Sequence, residues 1–250
     1  MDPSQLILLA ALGVCGGALS GLVGVGGGIV FVPALLYVAG WNITEAVAAS
    51  LAIIVFSSLS GTIRNARSEN PVQWRTAGVL SLAVAPSTLI GVAISRVSPD
   101  AVVELAFAAL LLALAYPTAK GRSESTGEGK RIPVALVLAA GVGIGALSGL
   151  VGVGGGVLMV PLMVLGMGLT TKTAVSTSLA VVLSAGAVGA LGYILVGAVD
   201  LTELPPLIVG AIVGAWLGVR LRDPLPDRAL RLGFAGFMAV TAVYTAVGVL

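Results

Sequence analysis

Residues 18–33 read ALSGLVGVGGGIVFVP, and residues 146–161 read ALSGLVGVGGGVLMVP. A shift of 128 residues superposes the two stretches, and 13 of their 16 positions are identical. In each copy a cluster of glycines interrupts a long apolar run. A lipid bilayer holds no water to satisfy a backbone that leaves the helix. Glycine breaks at matching positions of two halves are therefore typical of a transporter's binding site.

The composition is that of a polytopic membrane protein. Of the 250 residues, 58% are hydrophobic and 10% are charged, and the mean hydropathy is +1.10. Soluble domains carry about 25% charged residues. The first residues, MDPSQ, lack the basic region of a cleaved signal peptide. Because histidine is absent and Cys15 is the single cysteine, we expect no metal centre, disulfide or cofactor.

Ten apolar segments are predicted to be membrane helices. They cover residues 6–23, 29–39, 45–63, 76–94, 101–117, 133–151, 157–167, 173–197, 204–219 and 229–249. The two segments that follow the glycines are 11 residues long, and at about 16 Å they cross about half of the hydrocarbon layer. The hydrophilic linker 118–132 divides the chain into a first repeat, 1–117, and a second repeat, 133–250.

The internal repeat extends well beyond the glycine stretches. Residues 46–55 (AVAASLAIIV) match residues 174–183 (AVSTSLAVVL) at the same offset. Further along each copy the offset becomes 127, where Gly91 matches Gly218. Two copies of one unit therefore cover nearly the whole chain.

The positions of the basic residues favour one topology. If each glycine-broken stretch crosses the membrane once, the 13 Lys and Arg divide 7 to 6, with Arg64 and Arg220 on opposite sides. If each is the tip of a hairpin that returns to its own side, all but Arg96 lie on one side. The positive-inside rule prefers this second arrangement. The expected fold is thus an all-α membrane protein of two inverted repeats, each a glycine-broken helical hairpin plus three transmembrane helices. Both termini would lie outside and the linker inside.

The glycine loops are the predicted binding site. A tight reversal needs a positive φ, which glycine adopts without strain. The half-helix that follows begins with free N–H groups and a partial positive charge, which favour an anion. No acidic or basic residue lies mid-helix, so hydroxyls are the other polar groups at this depth. The predicted substrate-binding residues are Ser20, Gly24, Gly26, Gly27, Gly28, Ser50, Ser148, Gly152, Gly154, Gly155, Gly156, Thr177 and Ser178.

A second glycine pattern predicts helix packing instead of binding. Three sets of glycines recur every four residues, a spacing that lets two helix backbones approach closely. These are Gly13, Gly17 and Gly21; Gly141, Gly145 and Gly149; and Gly210, Gly214 and Gly218.

The doubled GLVGVGGG-x-x-x-VP, the A-x-x-x-SLA helix after it, and SLSGTIRNARSENPVQW at 58–74 resemble the TauE/SafE sulfite-exporter-like family of membrane permeases. The resemblance covers nearly all of the chain. It implies transport of sulfur-containing anions, such as sulfite, sulfoacetate or other organosulfonates, across the prokaryotic cytoplasmic (inner) membrane. The second half departs from the first, because it has no basic polar loop like residues 64–75. Arg64 and Asn65 therefore have no repeat partner.

These features predict a multi-pass permease that binds a sulfonate or sulfite near the membrane midplane. The expected partners are this anion and the lipid bilayer, without nucleic acid, and the sequence leaves a homo-oligomer open. An anion channel and a permease for a different small organic anion remain alternatives. An intramembrane enzyme is disfavoured because no base is available to activate a serine. A purely structural scaffold would not explain glycines repeated in both halves.

Overall fold

The computed structural model describes residues 3–23, 26–66, 71–120, 133–197, 204–221 and 227–249, which form ten helices. The helices are α1 (Pro3–Val23), α2 (Gly28–Pro33), α3 (Ile43–Asn65), α4 (Trp74–Val97), α5 (Asp100–Lys120), α6 (Val134–Val151), α7 (Gly156–Pro161), α8 (Thr171–Leu195), α9 (Leu204–Leu221) and α10 (Asp227–Val249). The predicted all-α class is confirmed, and each of the ten predicted segments contains a helix in the described part of the chain. The short helices α2 and α7 each continue into a π-helical turn, Ala34–Val38 and Leu162–Gly166.

Side-chain caps set the start of the two helices that follow these turns. The Asn42 side chain accepts a hydrogen bond from the Glu45 backbone N–H at 2.8 Å, and the Glu45 carboxylate accepts one from the Asn42 N–H at 3.3 Å. The Thr170 hydroxyl accepts a hydrogen bond from the Thr173 N–H at 3.3 Å. In both halves, the long helix that follows the short one thus begins with a capping side chain. The cap accepts a hydrogen bond from an N–H group that has no partner inside the helix.

Four helices in the described part of the chain are long and apolar enough to cross a membrane: Ile43–Asn65, Trp74–Val97, Val134–Val151 and Thr173–Leu195. Shorter apolar helices cover Leu6–Gly21, Gly28–Val38, Leu204–Gly218 and Ala235–Val247. The most apolar window of α3 is 72% buried inside the protein, against 39% for α6. Helix α3 is therefore central, whereas large apolar side chains on outer helices, such as Leu82 on α4, point outward as lipid contact requires.

Each half is interlocked with the other through its glycine-rich helices. Helix α1 packs along α9, and α6 packs along α4. An added Cβ on Gly13 would meet the Leu207 carbonyl oxygen, and one on Gly214 would meet the Val14 carbonyl oxygen. The predicted packing role is confirmed where only hydrogen atoms fit between the two backbones, at Gly13, Gly17, Gly145, Gly149, Gly210, Gly214 and Gly218. It is not confirmed at Gly141, where an added Cβ would make ordinary contacts at 3.5 Å or more.

The same close packing recurs between α4 and α6. A Cβ on Gly149 would meet the Thr88 carbonyl oxygen, and one on Gly145 would meet the Val84 carbonyl oxygen. In this pair and in α1–α9, contacts advance along both helices together, so the paired helices run parallel. The first helix of each half therefore packs against the fourth helix of the other half, and neither half buries its small-residue stripe alone.

The central pair, α3 and α8, runs antiparallel. Near the end of α3, Gly61 lies against Leu179, which is near the start of α8. Towards the other end of α8, Gly186 and Gly189 lie against Leu51, in the first half of α3. These two helices are the matching helices of the two repeats.

Side-chain clusters mark the two ends of the molecule. At one end, Arg64 and Arg220 lie over the Trp216 ring, at 5.8 and 5.2 Å from its centroid. We call this end the Arg64 face. At the other, Tyr37 packs edge-on against Tyr244 with ring centroids 4.7 Å apart, and the Tyr37 hydroxyl donates a hydrogen bond to the Thr245 hydroxyl.

Replacing Gly145 by valine should destabilise the protein by at least about 1–3 kcal/mol, because the new side chain would overlap the α4 backbone. Gly143→Val is a matched control in the same helix, since nothing lies within 4 Å of a Cβ at Gly143. Thermal unfolding and size-exclusion chromatography in detergent measure both variants. Equal losses in the two variants would contradict the proposed packing.

Candidate functional site

The chain reverses direction at the first glycine loop. Gly26 and Gly27 have φ angles of 82° and 89°, in the left-handed region that favours glycine. Beyond the loop, Phe31 on α2 lies against Gly16 on α1, and a Cβ on Gly27 would lie 3.1 Å from the Ser20 Cβ. Helix α2 therefore returns along α1 as a hairpin. Of the predicted residues in this loop, Gly24 lies outside the described residues.

The second glycine loop repeats this geometry. Gly152, Gly154 and Gly155 have φ angles of 73°, 72° and 72°. A Cβ on Gly155 would lie 2.9 Å from the Ile144 Cγ2 and 3.7 Å from the Ser148 Cβ, so α7 turns back along α6. The predicted interruption of the helix by glycine is thus present in both halves.

The two loops contact each other. A Cβ on Gly28 would lie 2.5 Å from the Gly152 carbonyl oxygen and 2.6 Å from the Val153 Cα. All described residues from 26 to 33 and from 151 to 157 are buried. Loops that are 128 positions apart in sequence therefore form one sealed contact at the centre of the protein.

Ile54 and Val182 cover the tips of both loops. A Cβ on Gly26 would lie 2.6 Å from the Val182 Cγ1 and 3.4 Å from the Ile54 Cγ2. A Cβ on Gly154 would meet the same two atoms at 3.0 and 3.2 Å. These residues occupy equivalent positions in the repeat and are both fully buried. The sequence analysis did not predict these two residues as part of the site. The feature that could have identified them is their equivalent position in the matching stretches 46–55 and 174–183.

The predicted serine on α3 joins the two halves. The Ser50 hydroxyl donates a hydrogen bond to the Gly152 carbonyl oxygen at 2.8 Å, and Ser50 is fully buried. Its repeat equivalent, Ser178, donates to the Val175 carbonyl oxygen of its own helix at 2.9 Å. Ser50 therefore holds the second loop from the first half.

Thr177 faces a different neighbour. Its hydroxyl accepts a hydrogen bond from the Gln73 backbone N–H at 3.1 Å. Gln73 is the residue before α4, so Thr177 satisfies an N–H at the start of that helix. This contact gives the buried Thr177 a structural partner apart from the glycine loops.

Ser20 and Ser148 lie behind the two loops, on α1 and α6. Both are buried, and the Ser148 hydroxyl has no hydrogen-bond partner among the described residues. Ser148 and Gly155 line a small cavity whose other walls are apolar, including Leu147 and Leu158. The second loop thus has one free hydroxyl beside the N-terminus of α7.

The chemistry around the loops is that of neutral hydrogen-bond donors. The first N–H groups of α2 and α7 have no partner within their helices. The Gly27 carbonyl oxygen accepts bonds from the N–H groups of Val30 and Phe31, at 2.9 and 3.0 Å, so each short helix forms immediately after its loop. Within the described ranges no group of three or more His, Cys, Asp and Glu could hold a metal ion. Backbone N–H groups and hydroxyls of this kind suit an anion's oxygen atoms.

A sequence model of the family described as "Sulfite exporter TauE/SafE" matches residues 9–245. Similar curated proteins are the probable membrane transporter protein YunE of Bacillus subtilis (26% identical, covering 90% of this chain and 92% of that protein) and probable membrane transporter proteins of Xylella fastidiosa (28%; 96% and 94%) and Haemophilus influenzae (26%; 95% and 97%). No solved structure matches this chain.

Ser50→Ala should lower the stability of the protein by about 1 kcal/mol, because the Gly152 carbonyl oxygen loses its buried donor. For a protein of this size that corresponds to roughly 2–4 °C in the unfolding midpoint. The control is Ser60→Ala, at a half-exposed position on the same helix. Thermal unfolding in detergent measures both, and an unchanged midpoint for Ser50→Ala would show that this bond does not hold the loops together.

Proposed function

Since this chain belongs to the sulfite exporter TauE/SafE family of membrane transporters, we propose that it carries a small sulfur-containing anion, such as sulfite, sulfoacetate or another organosulfonate, across a prokaryotic cytoplasmic membrane. The protein is a multi-pass membrane transporter and not an enzyme. The observation that carries the proposed substrate class is the buried contact between two left-handed glycine loops, each followed by the N-terminus of a short helix.

Two features support an anion as the substrate. The N–H groups at the start of α2 and α7, with the partial positive charge of a helix N-terminus, favour negative oxygen atoms. The second feature is that no acidic residue lies mid-helix. Such a residue would repel an anion, and burying its charge would be costly at this depth. The three oxygens of a sulfonate would accept hydrogen bonds from around Gly26–Gly28 and Gly154–Gly156, with Ser20 and Ser148 as further donors. Ser50 and Ser178 would donate to the anion only after releasing the Gly152 and Val175 carbonyl oxygens.

The sealed loops support a carrier with an occluded state. Ile54 and Val182 cover the loop tips, so an anion reaches the N–H groups only after these side chains and the loops separate. The long helix of each hairpin, α1 or α6, packs backbone-to-backbone against the fourth helix of the other half, α9 or α4. In the proposed transport cycle, α1 and α2 therefore move together with α9, and α6 and α7 move together with α4, against the central pair α3 and α8.

The contacts also support inverted repeats. The matching helices α3 and α8 run antiparallel. A twofold axis that relates the two halves must therefore lie perpendicular to these helices. Arg64 and Arg220 lie on the same Trp216 ring. The arrangement with a single crossing at each glycine stretch would separate these arginines by the whole membrane. We therefore propose that the Arg64 face is cytoplasmic, with both termini outside.

Gly27→Val and Gly155→Val should each abolish transport while leaving membrane insertion intact. A side chain there is strained at φ 89° or 72°, and the new Cβ would lie 2.6 Å from Phe31 or 2.9 Å from Ile144. Gly40→Val is the matched control, because Gly40 has a φ of 75° but nothing within 4 Å.

The measurement is counterflow uptake of sulfite, sulfoacetate and taurine into proteoliposomes. A thermal-shift screen of these anions and of sulfate on purified protein identifies which one binds. Saturable counterflow distinguishes a carrier from an anion channel. Full activity of both glycine variants would refute the proposed site.

The proposed topology predicts that single cysteines introduced near residues 2 and 250, in a Cys15→Ala background, react with an impermeant maleimide added outside intact cells. A cysteine at Arg220 should react only after permeabilisation, because that residue lies on the Arg64 face. Termini that label on opposite sides, or both from inside, would rule this topology out.

A further inference from the structure

Two hydroxyls on α3 are buried without a hydrogen-bond partner. Ser58 is 0% exposed and Thr62 is 3% exposed, and neither side-chain oxygen has a partner among the residues that the structure describes. The two residues are four apart on one helix and therefore share a face. Both are outside the predicted set of binding residues.

Such hydroxyls normally bond back to a carbonyl oxygen in the preceding turn of their own helix. Other buried hydroxyls here follow this rule: Ser57 donates to Ile54, Ser87 to Ala83 and Thr88 to Val84, at 3.2, 2.8 and 2.9 Å. Ser58 and Thr62 do not. A buried polar group without a partner is unfavourable, so a ligand oxygen that accepts from these two hydroxyls would satisfy groups that the described residues leave unbonded.

Their position connects the first glycine loop to the Arg64 face. The Ser58 hydroxyl oxygen lies 3.3 Å from where a Cβ on Gly26 would be. The adjacent Ser57 donates a hydrogen bond to the Gly26 carbonyl oxygen at 3.1 Å. Thr62 is one turn further along α3, and the helix then ends at Arg64 and Asn65. Hydroxyls thus follow one another from the loop towards a pair of guanidinium groups.

The second half has no equivalent of the α3 helix face that carries Ser58 and Thr62. The repeat positions of Ser58 and Thr62 are Gly186 and Ala190. A Cβ on Gly186 would lie 3.2 Å from the Leu51 carbonyl oxygen, so α3 fills that space. One turn beyond Ala190, the buried Tyr193 hydroxyl donates to the Gly149 carbonyl oxygen at 2.9 Å. The glycine loops are duplicated, but among the described residues two partnerless hydroxyls share one helix face only on α3, whereas Ser95 on α4 and Ser148 on α6 are single.

We propose that Ser58 and Thr62 form an oxyanion subsite between the first glycine loop and the Arg64 face. This inference rests on the proposed function. The two hydroxyls donate hydrogen bonds to sulfite or sulfonate oxygens as the anion passes between the glycine loops and the arginines. The subsite serves one side of the membrane only, so the transporter binds its substrate asymmetrically although its scaffold is repeated.

The test is counterflow in membrane vesicles of both orientations, with labelled sulfite or sulfoacetate as the probe, whichever the wild type exchanges. The double variant Ser58→Ala/Thr62→Val removes both hydroxyls and nearly keeps their volume. Its apparent KM measured from the Arg64 face should rise about tenfold or more, because hydrogen bonds to a charged group are lost. From the opposite face the KM should change by less than about twofold, and Ser60→Ala should behave as wild type on both faces.

Thermal unfolding separates a binding role from a structural one. Removing hydroxyls that have no partner should leave the unfolding midpoint of the double variant unchanged or higher. A midpoint lowered as in Ser50→Ala would overturn the inference, and so would a KM that stays at the wild-type value or rises equally on both faces. In each of these cases wild-type counterflow leaves the proposed function standing. A wild type that exchanges neither probe would refute the proposed function and this inference with it.

Discussion

The two glycine loops meet where Gly28 lies against the Gly152 carbonyl oxygen, and this contact limits how the surrounding helices can be arranged. A Cβ on Gly28 would lie 2.5 Å from that oxygen, which is too close for two atoms that are not bonded. The two loops therefore touch only because both are built from glycine. The contact requires two hairpins that meet, and it requires helices that hold each hairpin in place. Ser50, which donates to the same carbonyl oxygen, ties α3 to this point. A single bulky residue here would separate the halves.

The helices could be predicted from the sequence because lipid demands long apolar runs, and glycines at 24–28 and 152–156 interrupt those runs. The partner of each helix could not. In a membrane nearly every face of a helix is apolar, so hydrophobicity does not distinguish a face that packs from one that meets lipid. Glycine spacing marked Gly214 and Gly149 as packing positions but carried no information on the helix they meet. Only the fold reveals that α1 belongs with α9.

The site shows the same limit. The left-handed glycines were predictable because only glycine adopts such angles freely. Ile54 and Val182 were not, since an apolar residue that covers a binding loop looks like any other apolar residue in a membrane helix. Ser58 resembled its neighbour Ser57 in sequence, yet Ser57 bonds to two carbonyl oxygens and Ser58 to none in the described structure. What distinguishes them is which way each side chain points, and this depends on the packing of α3.

The internal duplication bears on how the two halves hold together and on which side of the membrane the substrate binds more tightly. Two copies of one unit interlock through α1–α9 and α4–α6. If they exchange roles in the proposed transport cycle, the inward-open and outward-open arrangements have nearly equal backbone packing. A ligand shifts such an equilibrium only by its difference in affinity for the two states. A fully symmetric protein would bind the ligand with the same affinity in both states. Substitutions that break the repeat, such as Thr62 against Ala190 on the central helices, are therefore where a preferred direction of binding can arise without disturbing the backbone packing of α1 on α9 and of α6 on α4.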